Sequence, residues 1–153
     1  VSEYKDFSKD FIQRTKCNLA MYDGKYEVTH LINSCLGLII IPKEMLAEKL
    51  SNEPAYEDDL SYGISKEKNS IKDDYAPNGD KTYSLKNIIR HIRNGLSHGR
   101  IEQRVKNREI VGLRIYDKQN EKSSENFSID FTIEQFKTFA LRVADDFLNI
   151  KTE

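Results

Sequence analysis

The chain has 153 residues, a formal net charge of −1, 32% charged residues and two cysteines. That length suits one domain with a hydrophobic core, and the charged fraction gives it a wet surface. The balanced charge excludes a general polyanion binder, the cysteines lack any zinc spacing, and no apolar run approaches the ~18 residues of a membrane span. No secretory signal stands at the start, so a cytoplasmic protein with two buried, reduced thiols is expected, without contact with a membrane. A start at Val1 rather than Met leaves room for residues ahead of it.

Tyr4, Phe7, Phe11, Ile12 and Leu19 recur near helical spacing, which predicts a first helix over 2–21 with core aromatics. Tyr22-Asp-Gly24 reads as its end. A second, more buried helix is predicted over 27–41, because apolar residues from Leu31 to Ile41 cover most of its circumference and Pro42 stops it. His30, near its start, reads as a surface or capping histidine. Residues 43–81 read as an acidic, partly mobile insertion over the helical core, with turn signals at Pro54, Gly63, Pro77 and Asn78-Gly79. Met45, Leu46 and Leu50 suggest a short helix there. The triplet Glu57-Asp58-Asp59 has no histidine beside it and reads as plain solvation rather than a metal site.

Ser84 to Glu102 is the chemically dense stretch. Leu85, Ile88, Ile89, Ile92 and Leu96 fall at i, i+3, i+4, i+7 and i+11, one face of a helix, with Ser84 as N-cap and Gly99 as terminator. The other side carries Asn87, Arg90, His91, Asn94 and Ser97, with Arg93 at the border and His98 in the last turn. Lys86, Arg90, Arg93, Arg100, Arg104, Lys106 and Arg108 face only Glu102 in this window. Such a local excess attracts phosphates while the whole chain stays neutral. A solvated helix face followed by a basic turn would have the same composition. Gly95 admits a close neighbour, either a helix of a second copy or one of the same chain.

Arg104 to Asn107 reads as a polar turn. Ile110–Tyr116, with Val111, Leu113 and Ile115 on one side, and Phe127, Ile129 and Phe131 alternate as two strands around a polar loop. They predict a hairpin whose edge is a candidate for partner contact. Thr132 and Gln135 predict a capping box for a last helix over 132–150, striped by Ile133, Phe136, Ala140, Val143, Phe147 and Ile150. The expected fold class is mainly α, a helical bundle with a small appended β-hairpin, in one domain over 1–153.

Arg93-Asn-Gly-Leu-Ser-His98 resembles the signature of the HEPN superfamily: an Arg, four to six residues, then His, often with a polar residue straight after the Arg, here Asn94. The resemblance is sharpest over Ser84–Glu102 and agrees in helix order over most of the rest. It implies a HEPN-like bundle, a homodimer through the 84–102 helix, and a metal-independent endoribonuclease that needs no cofactor. The setting implied is a toxin, phage defence or RNA processing, with RNA as partner and an antitoxin or other regulatory protein as a further candidate. Arg93 and His98 would be catalytic and Asn94 supporting, with Arg90, Ser97, Arg100 and Arg104 as candidates for RNA contact. His91, like Arg90, is a secondary candidate outside the motif.

The residue types suit that chemistry. An imidazole with a pKa of ~6.5 can take or give a proton near neutral pH. A guanidinium meets the charge of a pentavalent phosphorane with forked donors. Five residues along an ideal helix, however, turn a side chain by about 140°. Either the helix loosens near Ser97–Gly99, or two copies meet so that Arg and His from both line one cleft. The superfamily also contains catalytically silent members, so a module that binds RNA, nucleotide or a protein partner is the alternative. A helical interaction protein with an incidental basic turn is the third reading.

Overall fold

Periodic apolar residues build the four helices of the described residues, and a computed structural model shows how they meet a sheet. The structure describes residues 5–40, 62–65, 68–74 and 85–150. The helices are α1 (Phe7–Met21), α2 (Glu27–Ile40), α3 (Leu85–Ser97) and α4 (Ile133–Asn149). The strands are β1 (Lys72–Asp73), β2 (Ile101–Lys106), β3 (Glu109–Lys118) and β4 (Glu125–Thr132). They form one antiparallel sheet in the order β1-β4-β3-β2.

The mainly α expectation, a bundle with an appended hairpin, is therefore corrected to a mixed α/β fold. The predicted hairpin is the centre of a four-stranded sheet. Strand β2 escapes pattern reading because it is an edge exposed along almost its whole length, so nothing forces its sequence to alternate. Arg104 and Lys106 belong to it rather than to a turn. The turn is Asn107-Arg108, with φ of 52° and 67°. Two successive positive φ values suit a two-residue hairpin connection. The register shifts between Arg104 and Val105, leaving Val111 as the extra residue opposite them. That bulge turns Val111 outward, 43% exposed, while Leu113 and Ile115 stay in the core.

Leu113 and Ile115 of β3 join Phe127, Ile129 and Phe131 of β4 as the buried face of the sheet. Ile88, Ile89 and Ile92 of α3 and Phe136, Phe139, Ala140 and Val143 of α4 are buried in the same core cluster. Phe131 meets Phe136 and Phe139 at ring separations of 5.6 and 5.4 Å. Helix α4 starts on the predicted capping box, with Thr132 Oγ1 accepting from Gln135 N–H and Gln135 Oε1 accepting from Thr132 N–H. Helix α2 packs on α4 and α1, with Leu31, Cys35, Leu38 and Ile39 buried.

Helix α1 is capped by Asp6 and contributes only Ile12 to the fully buried core. Of the expected core aromatics, Phe7 is 53% exposed, Phe11 is half-buried with its ring against Gly37 of α2, and Tyr4 lies outside the described residues. Cys17 lies exposed on the same helix, and only Cys35 is a buried thiol. His30 stacks on Tyr22 with ring centroids 4.1 Å apart. Among the described residues no helix is long and apolar enough to cross a membrane.

Most of 43–81 lies outside the described residues, including Met45–Leu50, the Glu57-Asp58-Asp59 triplet and the Pro77–Gly79 turn. The described part is firmly attached. Ile64 and Asn69 are fully buried. Asn69 donates to Asp130 O at 2.7 Å and to Gln135 Oε1 at 2.9 Å, and its Oδ1 accepts from Ser65 N–H at 2.7 Å. Strand β1 then pairs Lys72 with Ser128 and Asp73 with Phe127, which carries the Asp73 carboxylate to α3.

Candidate functional site at the end of α3

Helix α3 ends in a Schellman motif. Gly99 N–H donates to Leu96 O at 3.2 Å and Arg100 N–H donates to Gly95 O at 2.8 Å, with Gly99 at φ 67°. His98 is thereby the last residue before the chain reverses into β2. The helix lies close on β3. A Cβ on Gly95 would stand 2.5 Å from Tyr116 O and 2.9 Å from Ile115 Cγ2. The bare position at Gly95 is thus filled from within the chain, by a strand rather than by a helix.

The side of α3 that reads as polar is not all solvated. Asn87 and His91 are 5% and 2% exposed. His91 stacks on Phe127 with ring planes 5° apart and centroids 4.7 Å apart. Its Nδ1 lies 2.8 Å from Asp117 Oδ2. A carboxylate there can only accept, so Nδ1 carries the proton. Burial holds the imidazole pKa below its ordinary value, only partly opposed by the hydrogen bond to Asp117, so the ring is neutral at pH 7. Its Nε2 then accepts from Arg90 Nη2 at 3.4 Å, with the Asp73 carboxylate 3.8 Å away.

Asp117 is the hub. Besides His91, it accepts from Arg100 Nη1 at 2.9 Å and, at 3.5 Å, from Asn94 Nδ2. Arg100 also donates to Lys118 O at 3.2 Å and to Glu121 Oε1 at 2.7 Å. Glu121 in return raises the Arg100 pKa, and its own is lowered chiefly by the Arg100 hydrogen bond. On the other side, Asn87 donates to Asp73 Oδ2 at 2.7 Å and accepts from Arg90 Nη2 at 2.8 Å. One polar network therefore runs from β1 under α3 to the β3–β4 turn.

Above it opens a shallow cleft of about 340 Å³, walled by Asn94, His98, Arg100, Asp117 and the 118–121 turn. Asn94 and His98 stand one helical turn apart there, and both are exposed. Arg93 is half-buried and does not line this cleft. Its side chain makes no hydrogen bond or ion pair among the described residues, and neither does that of His98. Ser97 and Arg90 are exposed. Arg100 has a guanidinium 8% exposed and committed to Asp117 and Glu121. Arg104 is half-exposed and pairs with Asp130 at 2.9 Å.

One chain thus gathers Asn94, His98, Arg100 and Asp117, and leaves Arg93 apart. The motif reading does not reach Asp117, Asp73, Asn87 or Glu121. Two signals point to Asn87 and Asp117, and none to Asp73 or Glu121. Asn87, His91, Asn94 and His98 form a polar stripe with spacings 4, 3 and 4, and Asp117 continues the inward alternation of Leu113 and Ile115. A carboxylate at a core-facing strand position needs a buried partner.

Residues 1–153 match the family model described as HEPN pEK499 p136. Comparisons with curated proteins and with solved structures find no match for the chain.

Proposed function

The chain belongs to the HEPN pEK499 p136 family, and on that premise we propose that it is a metal-independent endoribonuclease whose site is shared between two copies through α3. A base takes the proton of a ribose 2′-hydroxyl, and the 2′-oxygen attacks the adjacent phosphorus. The 5′-oxygen leaves with a proton from an acid, giving a 2′,3′-cyclic phosphate and a 5′-hydroxyl. His98 serves the proton transfers and Arg93 meets the charge on the phosphorane, with Asn94 holding the phosphate. Two copies supply two imidazoles, one for each proton.

The observation that carries this reading is the contrast at the end of α3. Arg100 and His91 are locked into buried bonds, while Arg93 and His98 have no hydrogen-bond partner among the described residues and diverge around the helix. Groups held ready but not joined within one chain suit a site completed by a second copy. The test is cleavage of mixed RNA in EDTA by the wild type and by His98→Ala and Arg93→Ala. Both variants are expected to remain folded and to lose cleavage. Cleavage unchanged without His98 would overturn the proposal, and RNA bound but never cut by the wild type would select the non-catalytic alternative.

A further inference from the structure

The geometry points to a second self-recognition surface, separate from α3: the open edge of β2 pairs antiparallel with β2 of another copy about a twofold axis at Gln103. This goes beyond the nuclease reading and does not depend on it. Tyr116 N–H donates to Arg100 O at 3.2 Å, so the hydrogen-bonded pairs with β3 fall at Arg100, Glu102 and Arg104. Beyond the bulge, the two-residue turn closes on Lys106 and Glu109. The N–H and C=O groups of Ile101, Gln103 and Val105 therefore point away from β3, along the edge that no strand among the described residues pairs.

Only antiparallel registers that pair these three residues among themselves let the two edges exchange hydrogen bonds. Centring the pairing on Glu102 sets two carboxylates face to face, and centring it on Arg104 sets two guanidinium groups face to face. Centring it on Gln103 places Glu102, which meets Arg114 in its own chain at 3.4 Å, opposite Arg104 of the second copy, which meets Asp130 at 2.9 Å, twice. The same register places Ile101 opposite Val105, also twice, and covers a Val105 that is 52% exposed. Lys106 then falls opposite Arg100, whose guanidinium is turned inward onto Asp117 and Glu121. Charges on an edge strand commonly keep it unpaired. Here their order, apolar, acid, amide, base, apolar, is complementary to itself in one register. The pairing would join two four-stranded sheets into one of eight strands.

The test uses the full chain in two forms. In a Cys17→Ser background, Gln103→Cys places two thiols at a hydrogen-bonded pair, where Cα atoms lie about 5.5 Å apart, within disulfide range. Mild oxidation is expected to cross-link this variant much faster than Met21→Cys, a highly exposed collision control. Separately, Arg104→Glu alone and Glu102→Arg alone each set like charges opposite one another. Each is expected to weaken self-association in sedimentation by roughly tenfold or more, and their equimolar mixture to restore it. Where the α3 contact also forms, each variant falls to the next smaller species instead. Cross-linking no faster than the control, or charge variants that associate as the wild type does, or a mixture that fails to recover, would overturn the inference.

Discussion

Replacing Gly95 by alanine tests how tightly α3 is seated on the sheet. The added Cβ would meet Tyr116 O at 2.5 Å and Ile115 Cγ2 at 2.9 Å. Strand β3 cannot retreat, because β2 and β4 bond it on both sides, so the helix must lift by roughly 1 Å, the overlap to be relieved at van der Waals contact. Overpacking of this kind costs about 1–3 kcal/mol. Alanine recovers ~0.5–1 kcal/mol of helix preference over glycine, which leaves a net loss of about 1–2 kcal/mol. For a domain of this length each kcal/mol moves Tm by ~2–4 °C, so Gly95→Ala should melt roughly 2–8 °C lower by calorimetry or circular dichroism. If Gly95→Ala melts at or above the wild type, α3 does not rest on β3 as described. A variant that is more stable but fails to dimerise would mean that the glycine serves a second copy instead.

Further outcomes follow from the network and the core. Asp117→Ala removes the acceptor of both Arg100 and His91, and should cost about 3 kcal/mol in urea denaturation; an unchanged midpoint would contradict the network. Burial keeps the His91 pKa below its ordinary 6.5, so the unfolded chain takes up that proton first as pH falls. Stability from this group is complete above about pH 6.5 and is lost between there and the folded-state pKa. His91→Gln should remove that part of the slope between pH 7.5 and 5, read from denaturation midpoints, and an unaltered slope would place the proton elsewhere. Cys35 has its thiol pKa raised to about 12 by burial, whereas Cys17 is exposed. A thiol reagent should modify one cysteine in the native protein and two in urea; two fast native reactions would contradict the packing of α2. His98→Ala, at an exposed helix end, should shift stability by no more than ~0.5 kcal/mol.

The helices were legible because burial on one face imposes a period. The stripe through Ile88, Ile89, Ile92 and Leu96 and the capping box at Thr132 both stand where the pattern puts them. The central strands were legible for the same reason, since Leu113, Ile115, Phe127, Ile129 and Phe131 all face the core. Strand β2 was not, because an edge wet on both faces has no periodicity to leave, and β1 is two residues long. Those two strands turn a bundle with a hairpin into a mixed fold. At the site, the motif supplied Arg93, Asn94 and His98, but it is silent on what holds them. Asp73 and Asp117 are brought under α3 by strand pairing, which no spacing along the helix can reveal. Arg100, grouped with the phosphate-seeking cations by charge, is instead tied to Asp117 and Glu121.

The most direct trial of the nuclease proposal is end-group analysis of one defined RNA, incubated in EDTA beside a copy carrying 2′-deoxyribose at the cut positions. The proposal predicts that the ribose strand is cut to 2′,3′-cyclic phosphate and 5′-hydroxyl ends and that the deoxy positions stay intact. Cutting at the deoxy positions, or fragments bearing 5′-phosphates, would contradict it.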